Sequence, residues 1–409
     1  MRVLIVSQCF WPESFSINDI ARSLVKKGLD VEVLTGKPNY PTGKIFDGYR
    51  AWGITQEEVN GAKVTRVPLI PRGKKSKLGL ALNYLSFIAS GLLFGPWLFR
   101  RYKPDVIFVY APSPILQAIP ALFLGWLKGC PVVLWVQDLW PESLSATGFI
   151  KNRVILWLVE QVVRFIYHHC ELLLVPSQAF TGPVQALAGA TPIQYFPNSV
   201  DASFALPATH ATPKLPGLDA DFSVMFAGNI GTAQAVETIL DAAINLKDLL
   251  DIHFVVVGDG SRLAWMVEQV QKNDLQNLHL PGRLPIEEMP GLMQQASALL
   301  VTLADREIFA ATVPNKIQAY MAAGRPIIAC LPGEGARLVT QGGCGIAVPP
   351  EDGQALAEAV VHLYDMPDEI RATMGSKGRA YFFEHFDHDK LVDILVKYLQ
   401  AASHKKDGT

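Results

Sequence analysis

The sequence predicts an α/β protein with two doubly wound domains. Short runs of Val, Ile and Leu alternate with helical segments along the whole chain, and a stretch rich in Pro, Thr and Ala at 203–217 interrupts this alternation once. A length of 409 residues also exceeds that of one ordinary domain. Continuous apolar runs separated by helices are typical of parallel sheets that are covered on both faces.

The first predicted domain comprises residues 1–202. Its apolar and β-branched runs predict strands near 2–7, 31–35, 63–67, 105–110, 131–136, 171–175 and 193–196. Helical spacing of apolar residues predicts helices near 17–27, 78–101, 114–127, 152–167 and 178–187.

The second predicted domain, residues 218–385, repeats this pattern after the linker at 203–217. Strands are predicted near 222–226, 252–257, 278–280, 298–303, 326–330 and 345–348, and helices near 234–246, 261–272, 286–295, 335–340 and 353–363. The last segment, 386–409, contains a helix near 389–401, which we expect to return to the first domain. In two such Rossmann-like domains the carboxyl ends of the strands should face a shared cleft, where ligands bind.

Charge is distributed unevenly along the chain, although the net charge is only −2. Residues 1–200 contain 20 Lys and Arg against 12 Asp and Glu, whereas the remainder contains 16 against 26. The basic half predicts an anionic partner such as lipid head groups or a lipid phosphate. Nucleic acid is not expected as a partner, because no basic helix with interleaved aromatic residues is present to bind it.

The cysteines and the N-terminus predict a cytoplasmic protein. The five cysteines lie mostly in apolar contexts and never form a Cys-x-x-Cys pair, which is typical of free thiols in a reducing compartment. Met1 leads directly into an apolar run that has the character of a first strand rather than of a signal peptide. None of the nine histidines has the spacing of a metal-ligand pair, so no metal site is predicted.

The most informative stretch is 313–329, which predicts a short helix between a loop and a buried strand. Pro314 suits a first helical position, and Gly324 followed by Pro326 ends the helix. A helix that begins at the edge of a parallel sheet offers free backbone N–H groups to an anion, and Lys316 adds a positive charge at the same end. The start of this helix therefore predicts a diphosphate site.

Two glycine-containing loops follow the first two strands of the second domain. Gly228 and Gly231 allow a backbone to approach a ligand closely; an ordinary strand-to-helix turn is the alternative, and we favour a ligand loop. The loop that starts at Gly258 lacks the third glycine of a dinucleotide fingerprint, so a tight turn is favoured there.

Charged residues follow two later strands of this domain. Arg283 either meets a base or a phosphate or is a solvated loop cation, and the sequence leaves both alternatives open. The carboxylates of Asp305 and Glu307 are candidates to hold sugar or ribose hydroxyls, with a weak surface pair to Arg306 as the alternative.

In the first domain, Asp138 is the predicted cleft residue. It follows the strand at 131–136 directly, and a cleft role is favoured over helix capping. Asn18 either lines the same rim or only caps the following helix. The loop that contains Asn39 and Tyr40 follows the second strand and belongs to the same rim.

Residues 78–99 contain no charged residue and are long enough to be a transmembrane candidate. Basic residues flank both ends and give no inside–outside bias: Arg72, Lys74, Lys75 and Lys77 precede the segment, and Arg100, Arg101 and Lys103 follow it. The segment also joins two strands that must share one sheet, which a membrane crossing would prevent. We favour a helix that lies in the membrane interface, then a buried core helix, then a spanning helix.

Taken together, these motifs resemble the retaining glycosyltransferases of family 4, which have the two-domain GT-B fold. The resemblance covers essentially the whole chain and is strongest to bacterial enzymes of capsule, O-antigen and colanic-acid-type exopolysaccharide synthesis. The residues that carry it are Phe10-Trp11-Pro12-Glu13, Ile17-Asn18-Asp19, Thr35–Pro41, Asp138–Glu142, Pro197-Asn198, Ala227–Gly231 and Pro314–Pro326.

This resemblance implies transfer of a sugar from a UDP- or GDP-linked donor to a glycan, usually one on a polyprenyl diphosphate, at the anionic inner face of the plasma membrane. It implies no metal and no other cofactor, so that protein cations and a helix N-terminus would neutralise the leaving diphosphate. The second domain would bind the donor through Gly228, Asn229, Gly231, Gln234, Gly258, Arg283, Asp305, Glu307, Pro314, Asn315, Lys316 and Gln318. The first would contact the acceptor through Glu13, Asn18, Asn39, Tyr40, Trp140 and Glu142, with Asp138 as the catalytic residue that orients the attacking hydroxyl.

The chain departs from the family pattern in two places. Ala311 and Ala319 stand where many members have the two glutamates of a Glu-x7-Glu motif, which leaves Gln318 or Glu307 to hold the ribose or sugar hydroxyls. Asp138 and the residue before it stand where many members carry a histidine. Two alternative functions are therefore kept: a sugar-nucleotide epimerase on the same fold, and a non-catalytic nucleotide-sugar-binding subunit.

Overall fold

The computed structural model describes residues 1–73, 77–146, 150, 152–200, 202–206 and 212–404. Contacts divide the chain into two compact units: Met1–Pro197 together with Asp389–Thr409, and Asn198–His388. The sequence placed the first boundary at 202 and the last at 385. The predicted linker at 203–217 falls in the second unit, and its residues 207–211 lie outside the described residues.

The first unit contains an eight-stranded sheet. Its strands are β1 (Arg2–Val6), β2 (Asp30–Thr35), β3 (Thr55–Val59), β4 (Ala62–Arg66), β5 (Val106–Ala111), β6 (Val132–Val136), β7 (Leu172–Val175) and β8 (Ile193–Tyr195). The order is β3-β4-β2-β1-β5-β6-β7-β8, and only β3 and β4 pair antiparallel. The sequence pattern missed β3, because this edge strand is largely polar and is held by a two-residue turn at Asn60 and Gly61, both with positive φ.

Within the described part of the first unit, six α-helices connect these strands. They are α1 (Ser16–Lys26), α2 (Lys77–Leu98), α3 (Ala118–Lys128), α4 (Glu142–Ala146), α5 (Arg153–His168) and α6 (Thr181–Ala188). The short helix α4 was not predicted. Side chains from α2, α3 and α5 line one open groove of ≈ 720 Å³, so these three helices cover the same face of the sheet.

Helix α2 has an apolar window long enough to cross a membrane by length and composition, and 22% of this window is buried. The fully buried alternative is therefore wrong. Its polar residues bind the segment that leads into it: Asn83 donates to the Ile70 carbonyl at 2.7 Å, and Ser90 donates to the Pro68 carbonyl at 2.7 Å. These hydrogen bonds fix one side of α2 to the segment at Pro68 and Ile70.

The second unit contains a six-stranded, fully parallel sheet. Its strands are β9 (Phe222–Ala227), β10 (Ile252–Val257), β11 (Leu278–Gly282), β12 (Ala298–Thr302), β13 (Ile327–Cys330) and β14 (Gly345–Val348), in the order β11-β10-β9-β12-β13-β14. Its helices are α7 (Val236–Asn245), α8 (Leu263–Lys272), α9 (Met289–Gln295), α10 (Glu307–Ala310), α11 (Asn315–Ala323), α12 (Glu334–Gln341), α13 (Gly353–Tyr364) and α14 (Asp368–His385).

Helices α10 and α14 were not predicted. Two glycines interrupt the apolar spacing of α14, and both have a packing reason. A Cβ atom on Gly375 would lie 2.1 Å from the Gly324 carbonyl oxygen, and one on Gly378 would lie 2.8 Å from the Cβ atom of Cys344. The glycines therefore bring α14 close to the end of α11.

The last helix, α15 (His388–His404), returns to the first unit, as predicted. Its Leu391, Leu395 and Leu399 are buried in the core formed with β1 and α1. Lys27 on the first unit forms an ion pair with Asp393 at 2.6 Å. The predicted fold class, two doubly wound α/β domains with a returning C-terminal helix, is confirmed.

Each sheet has one point at which the strand order reverses. In the first unit this point lies between β1 and β5, and in the second unit between β9 and β12. The connections at such a point run to opposite faces of the sheet and leave a crevice at the carboxyl ends of the strands. Some predicted site residues follow these strands in sequence: Glu13 and Asn18 follow β1, Gly228 follows β9, and Asp305 follows β12.

Candidate active site

The loops after β9 and β10 interlock in a way that only glycine permits. A Cβ atom on Gly258, whose φ is +151°, would lie 1.8 Å from the Gly228 carbonyl oxygen. The Gly228 N–H donates to the Val257 carbonyl at 2.9 Å, and the Ile230 N–H donates to the Asp259 carbonyl at 2.8 Å. Gly258 is thus a packing residue for the Gly228 loop, in agreement with the tight turn that the sequence favoured.

Helix α11 begins beside these loops. The Tyr320 hydroxyl accepts a hydrogen bond of 3.0 Å from the Ala227 N–H, at the end of β9, and so fixes the helix against the switch point. Pro314 has extended backbone angles and precedes the helix, whose first helical residue is Asn315. The prediction that Pro314 is itself helical is therefore wrong by one residue. No side chain caps the first turn among the described residues, so backbone N–H groups are available there.

Lys316 projects from the first turn of α11 into the Gly228 loop. Its Nζ atom lies 3.6 Å from the centre of the Phe226 ring. A Cβ atom on Gly228 would lie 2.5 Å from Cε and 2.8 Å from Nζ of this lysine, so the lysine occupies the space that the glycine leaves. The Nζ atom is buried and has no hydrogen-bond partner among the described residues.

Burial without a hydrogen-bond partner disfavours the protonated form of Lys316. Desolvation lowers its pKa from 10.5 to about 7. An unpaired buried ammonium group is unfavourable, and a bound anion would remove this penalty. The group is therefore ready to pair with a negatively charged ligand in the Gly228 loop.

The segment after Gly231 is fixed to the other side of the switch point. Thr302, at the end of β12, donates its hydroxyl to the Gln234 carbonyl, and the Ala304 N–H donates to the Ala233 carbonyl at 3.0 Å. The side chains of Asn229 and Gln234 bond to each other at 2.9 Å. Their amides are thus positioned as a pair at the Gly228 loop.

The remaining predicted donor residues differ in their surroundings. Asp305, Glu307 and Arg283 are exposed, and Glu307 begins the short helix α10 rather than lying in a loop. The Gln318 side chain is buried, and its amide nitrogen lies 2.9 Å from the Pro314 carbonyl when oriented to donate. Of the two candidates for the sugar or ribose hydroxyls, Glu307 is exposed to solvent and Gln318 is buried.

In the first unit, Glu13 connects two of the predicted rim loops. Its buried carboxylate accepts hydrogen bonds from the backbone N–H groups of Asn39 at 2.8 Å, Tyr40 at 2.7 Å and Phe10 at 3.2 Å. Burial raises the pKa of this carboxyl, and the three N–H donors oppose the rise. Glu13 therefore holds the loops after β1 and β2 together.

Asn18 and Asn39 have comparable structural contacts. Asn18 accepts a bond from the Trp11 N–H at 2.9 Å and donates to the Glu13 carbonyl at 2.7 Å. The Asn39 side chain is buried and donates to the Lys37 carbonyl at 2.9 Å. These contacts shape the rim, whereas the Tyr40 ring is 40% exposed and available to a ligand.

Asp138 lies after β6 among several hydrogen-bond donors. Its carboxylate accepts from the Ser143 hydroxyl and, at 3.3 Å, from the indole N–H of Trp140, and Ser113 also contacts it. Burial raises the pKa of Asp138, and these donors oppose the rise. Trp140 is buried, and Glu142 is exposed at the start of α4. The arrangement orients the carboxylate, and its catalytic role stays a prediction.

Sequence reasoning missed several residues that complete these two sites. Phe226 forms the floor under Lys316, and Tyr320 fixes the helix that carries the lysine. In the first unit, Arg72 lies over the rings of both Tyr40 and Tyr84. The sequence analysis assigned none of them a role at these sites: Tyr320 is only a member of the Pro314–Pro326 motif, and Arg72 only a member of the basic flank of residues 78–99. Their roles come from three-dimensional neighbours. Within the described ranges, no three His, Cys, Asp or Glu side chains form a potential metal-ligand group.

Comparison with known proteins assigns each unit to a described family. Residues 15–199 match the family model for the glycosyl transferase 4-like domain, and residues 221–366 match that for glycosyl transferases group 1. Among curated proteins, the chain is 26% identical to WcaI of Escherichia coli, described as a glycosyl transferase of colanic acid biosynthesis, over 88% of this chain and 91% of WcaI. It is 28% identical to the glycosyltransferase WbjE of Pseudomonas aeruginosa over 72% of this chain and 75% of that protein.

Solved structures show the same fold at low sequence identity. The sucrose-phosphate synthase of Thermosynechococcus elongatus is 17% identical, with a TM-score of 0.72, and 98% of this chain and 99% of that one are covered. HepE of Anabaena, solved with UDP and glucose, is 16% identical, with a TM-score of 0.69, and 98% of this chain and 100% of that one are covered.

Proposed function

The chain belongs to the family 4 glycosyltransferases of GT-B fold, and we propose that it transfers a sugar from a UDP- or GDP-linked donor to a lipid-linked glycan with retention of configuration. We assign this step to the synthesis of a cell-surface polysaccharide. The names of the relatives WcaI and WbjE, and the basic first half of the chain, support that assignment.

One observation carries the proposal: the buried, unpartnered Nζ atom of Lys316 within the Gly228 loop. Departure of a nucleoside diphosphate from the donor sugar adds negative charge to the leaving group, and a positive charge placed nearby in a water-poor site stabilises that charge. Backbone N–H groups at the start of α11 point to the same region. Lys316 and α11 thus supply the electrostatic stabilisation that the transfer needs.

In this proposal the first unit binds the acceptor. Asp138, already oriented by Ser143 and Trp140, would accept a hydrogen bond from the attacking hydroxyl and direct it to the anomeric carbon. The hydroxyl proton would leave toward the departing phosphate, and the new bond would form on the face from which the nucleotide leaves. Tyr40 offers an exposed ring on the rim of the first unit for contact with the acceptor.

The two alternative functions are not favoured. Neither relative is described as an epimerase or as a non-catalytic subunit; both are described as glycosyltransferases. An epimerase would convert a UDP-sugar without any acceptor, which NMR spectroscopy of the purified protein with the nucleotide sugar alone would detect.

The test of donor binding is a calorimetric comparison of UDP, GDP and their sugars with wild-type protein, Lys316→Met and Lys272→Met. Lys272 is a matched control, because it is an exposed lysine at the end of α8. Loss of a charge-assisted contact should weaken nucleoside diphosphate binding by at least about tenfold in Lys316→Met only. Equal affinity of all three proteins would contradict the role of Lys316.

We also propose that the first unit binds the anionic inner surface of the membrane through the outer sides of α2, α3 and α5. Of the 23 large hydrophobic side chains that are exposed among the described residues, 13 lie on these three helices. These are Leu78, Leu82, Leu85, Leu93, Trp97, Trp126, Leu127, Val154, Ile155, Trp157, Leu158, Val162 and Phe165. We call this set the apolar helical face.

The charge around the apolar helical face favours an anionic bilayer as its partner. No acidic residue occurs between Lys77 and Pro104, and Arg100, Arg101 and Lys103 follow α2 directly. Tryptophan side chains, such as Trp126 at 77% and Trp157 at 57% exposure, are enriched where proteins contact lipid head groups. Lys74 and Lys75, which the sequence assigned to lipid contact, lie outside the described residues.

Vesicle flotation tests the apolar helical face. Wild-type protein should float with vesicles of phosphatidylglycerol and phosphatidylethanolamine, and Trp126→Ser/Trp157→Ser should reduce partitioning by at least about tenfold, because each buried aromatic side chain contributes about 1.5–3 kcal/mol. Trp52→Ser is the control, since Trp52 is 73% exposed in a loop of the same unit. Unchanged flotation of the double variant, or sedimentation evidence that the face joins two copies instead, would reject the membrane assignment.

A further inference from the structure

Arg72 is a cation that two tyrosines hold in a fixed position. Its Cζ atom lies 5.2 Å from the centre of the Tyr40 ring and 5.5 Å from that of Tyr84. Its Nη2 atom donates to the Tyr84 hydroxyl at 2.9 Å, and its backbone N–H donates to Asn39 Oδ1 at 3.2 Å. The guanidinium group is thus ordered before any ligand binds.

This guanidinium has no acidic partner among the residues that the structure describes. Arg66, a buried arginine of the same unit, pairs with Glu57, and the buried Glu13 uses its carboxylate on backbone N–H groups. A guanidinium carries five N–H donors in a fixed fork, which suits the bidentate geometry of phosphate or carboxylate. Arg72 therefore keeps both charge and donors for an anionic ligand.

The position of Arg72 connects it to the predicted catalytic residue. Burial raises the pKa of the Cys9 thiol, which follows β1, and the positive charge of Arg72 opposes this rise. Burial raises the pKa of Tyr84 and of Asp138, and a hydrogen bond to Ser113, which follows β5, opposes the rise at each of these two groups. Arg72, Tyr84, Ser113 and Asp138 consequently form one connected group across the switch point between β1 and β5.

Resting on the proposed function, we propose that Arg72 binds a phosphate of the acceptor, the diphosphate of a lipid-linked glycan, and holds the acceptor beside Asp138. The lipid class follows from the position of Arg72 in the chain. It precedes α2, the longest helix of the apolar helical face, by only five residues. A diphosphate bound at Arg72 would therefore lie near the helix that contacts the membrane, from which the lipid chain of the acceptor extends.

Two sources could supply this phosphate chemistry, a lipid diphosphate or a free inorganic one. Farnesyl diphosphate, inorganic pyrophosphate and farnesol distinguish them in calorimetric titrations. All titrations use the full chain with the Lys316→Met substitution, so that the donor site does not contribute. Arg72→Gln and Arg72→Lys are added to this background, and Arg50→Gln is the control because Arg50 is an exposed arginine of the same unit.

Farnesyl diphosphate should bind at least about tenfold more weakly to Arg72→Gln, since a charge-assisted pair is lost. Arg72→Lys should show an intermediate loss, because lysine keeps the charge but not the stacked fork. Arg50→Gln should bind as its parent does. Arg72-dependent binding of pyrophosphate alone would support the phosphate site, and tighter binding of farnesyl diphosphate than of pyrophosphate would support the lipid source.

The inference is overturned if Arg72→Gln binds farnesyl diphosphate as tightly as its parent, or if farnesol binds as tightly as farnesyl diphosphate. Thermal unfolding of each variant excludes misfolding as the cause of lost binding, and Arg72→Lys provides a second test if Arg72→Gln is unstable. Nucleoside diphosphate binding to wild-type protein is measured in parallel. If that binding occurs while Arg72 has no effect, the donor site stands and only the acceptor assignment fails.

Discussion

The buried ammonium group of Lys316 lowers the stability of the ligand-free protein, and we propose that it binds the phosphate of a ligand. Its ammonium group packs over Phe226 and fills the space above Gly228, and its Nζ atom contacts no acceptor among the described residues. Buried charges without partners reduce stability, and natural proteins keep them mainly at functional sites. The sequence predicted the lysine from its place at a helix start, but not the aromatic floor that removes water from it.

Replacing this lysine by an apolar side chain should stabilise the free protein. We expect Lys316→Met to raise the free energy of unfolding by on the order of 1 kcal/mol at pH 7, because an unpaired buried charge is replaced by a side chain of similar length. Thermal unfolding without ligand measures this change, with Lys272→Met as the control. A lower unfolding temperature for Lys316→Met would show that the ammonium group has a partner in solution.

The pKa of Lys316 predicts how donor binding depends on pH. In the folded protein the pKa is lowered to about 7, against 10.5 ordinarily, so the unfolded chain binds more protons between these values and the stability of the free protein rises with pH across that window. Binding of a diphosphate needs the charged form. Its affinity should therefore fall as pH rises above 7, by up to about tenfold per pH unit.

Isothermal titration from pH 6 to pH 9 measures this dependence. Lys316→Met should bind weakly at every pH and lose the dependence. A wild-type affinity that is constant over this range would mean that Lys316 does not titrate there.

At the scale of elements, the two glycine loops bring β9, β10 and α11 together. Gly258→Ala should destabilise the protein more than Gly28→Ala, although both residues have positive φ. Gly28 has open space around its Cα atom, so only the backbone strain of about 1–2 kcal/mol is expected there, whereas a Cβ atom on Gly258 meets the Gly228 carbonyl oxygen at 1.8 Å. Chemical denaturation measures the free energy of unfolding of both variants. Equal losses of stability would mean that the Gly228 and Gly258 loops can move apart without destabilising the protein.

Most elements of this fold follow from apolar periodicity, and the exceptions have physical reasons. The strand β3 is polar on an edge, α4 and α10 are single short turns, and α14 contains two glycines that serve packing against α11 and Cys344. Periodicity identifies elements that bury a continuous apolar stripe. It does not identify elements whose position depends on partners that are distant in sequence.

The candidate site was predictable only in part, for the same reason. The Gly228 loop and Lys316 were identified because a glycine pair and a helix start have local signatures. Glu13 was predicted as an acceptor contact, yet its carboxylate is occupied by backbone N–H groups of a second loop. Arg72 was predicted only as part of the basic flank of residues 78–99, and the two tyrosines around it made it a candidate site residue.

At the scale of the molecule, membrane binding and nucleoside diphosphate binding are assigned to differently exposed parts of the protein. The apolar helical face and the basic residues that follow α2 (Arg100, Arg101 and Lys103) are on the surface, whereas the Lys316 ammonium is buried. Salt screens exposed charges strongly and buried ones less. Raising sodium chloride from 0.05 to 0.5 M should therefore reduce vesicle flotation several-fold and change nucleoside diphosphate affinity less. Equal salt effects on both would contradict the assignment of one site to the surface and the other to the interior.

A crystal structure of this protein with a bound nucleoside diphosphate tests the role of Lys316 more directly than any other measurement. We expect a phosphate oxygen within about 2.7–3.2 Å of Lys316 Nζ, beside Gly228 and the first turn of α11. A nucleotide bound elsewhere, with Lys316 still without an anionic partner, would contradict that role.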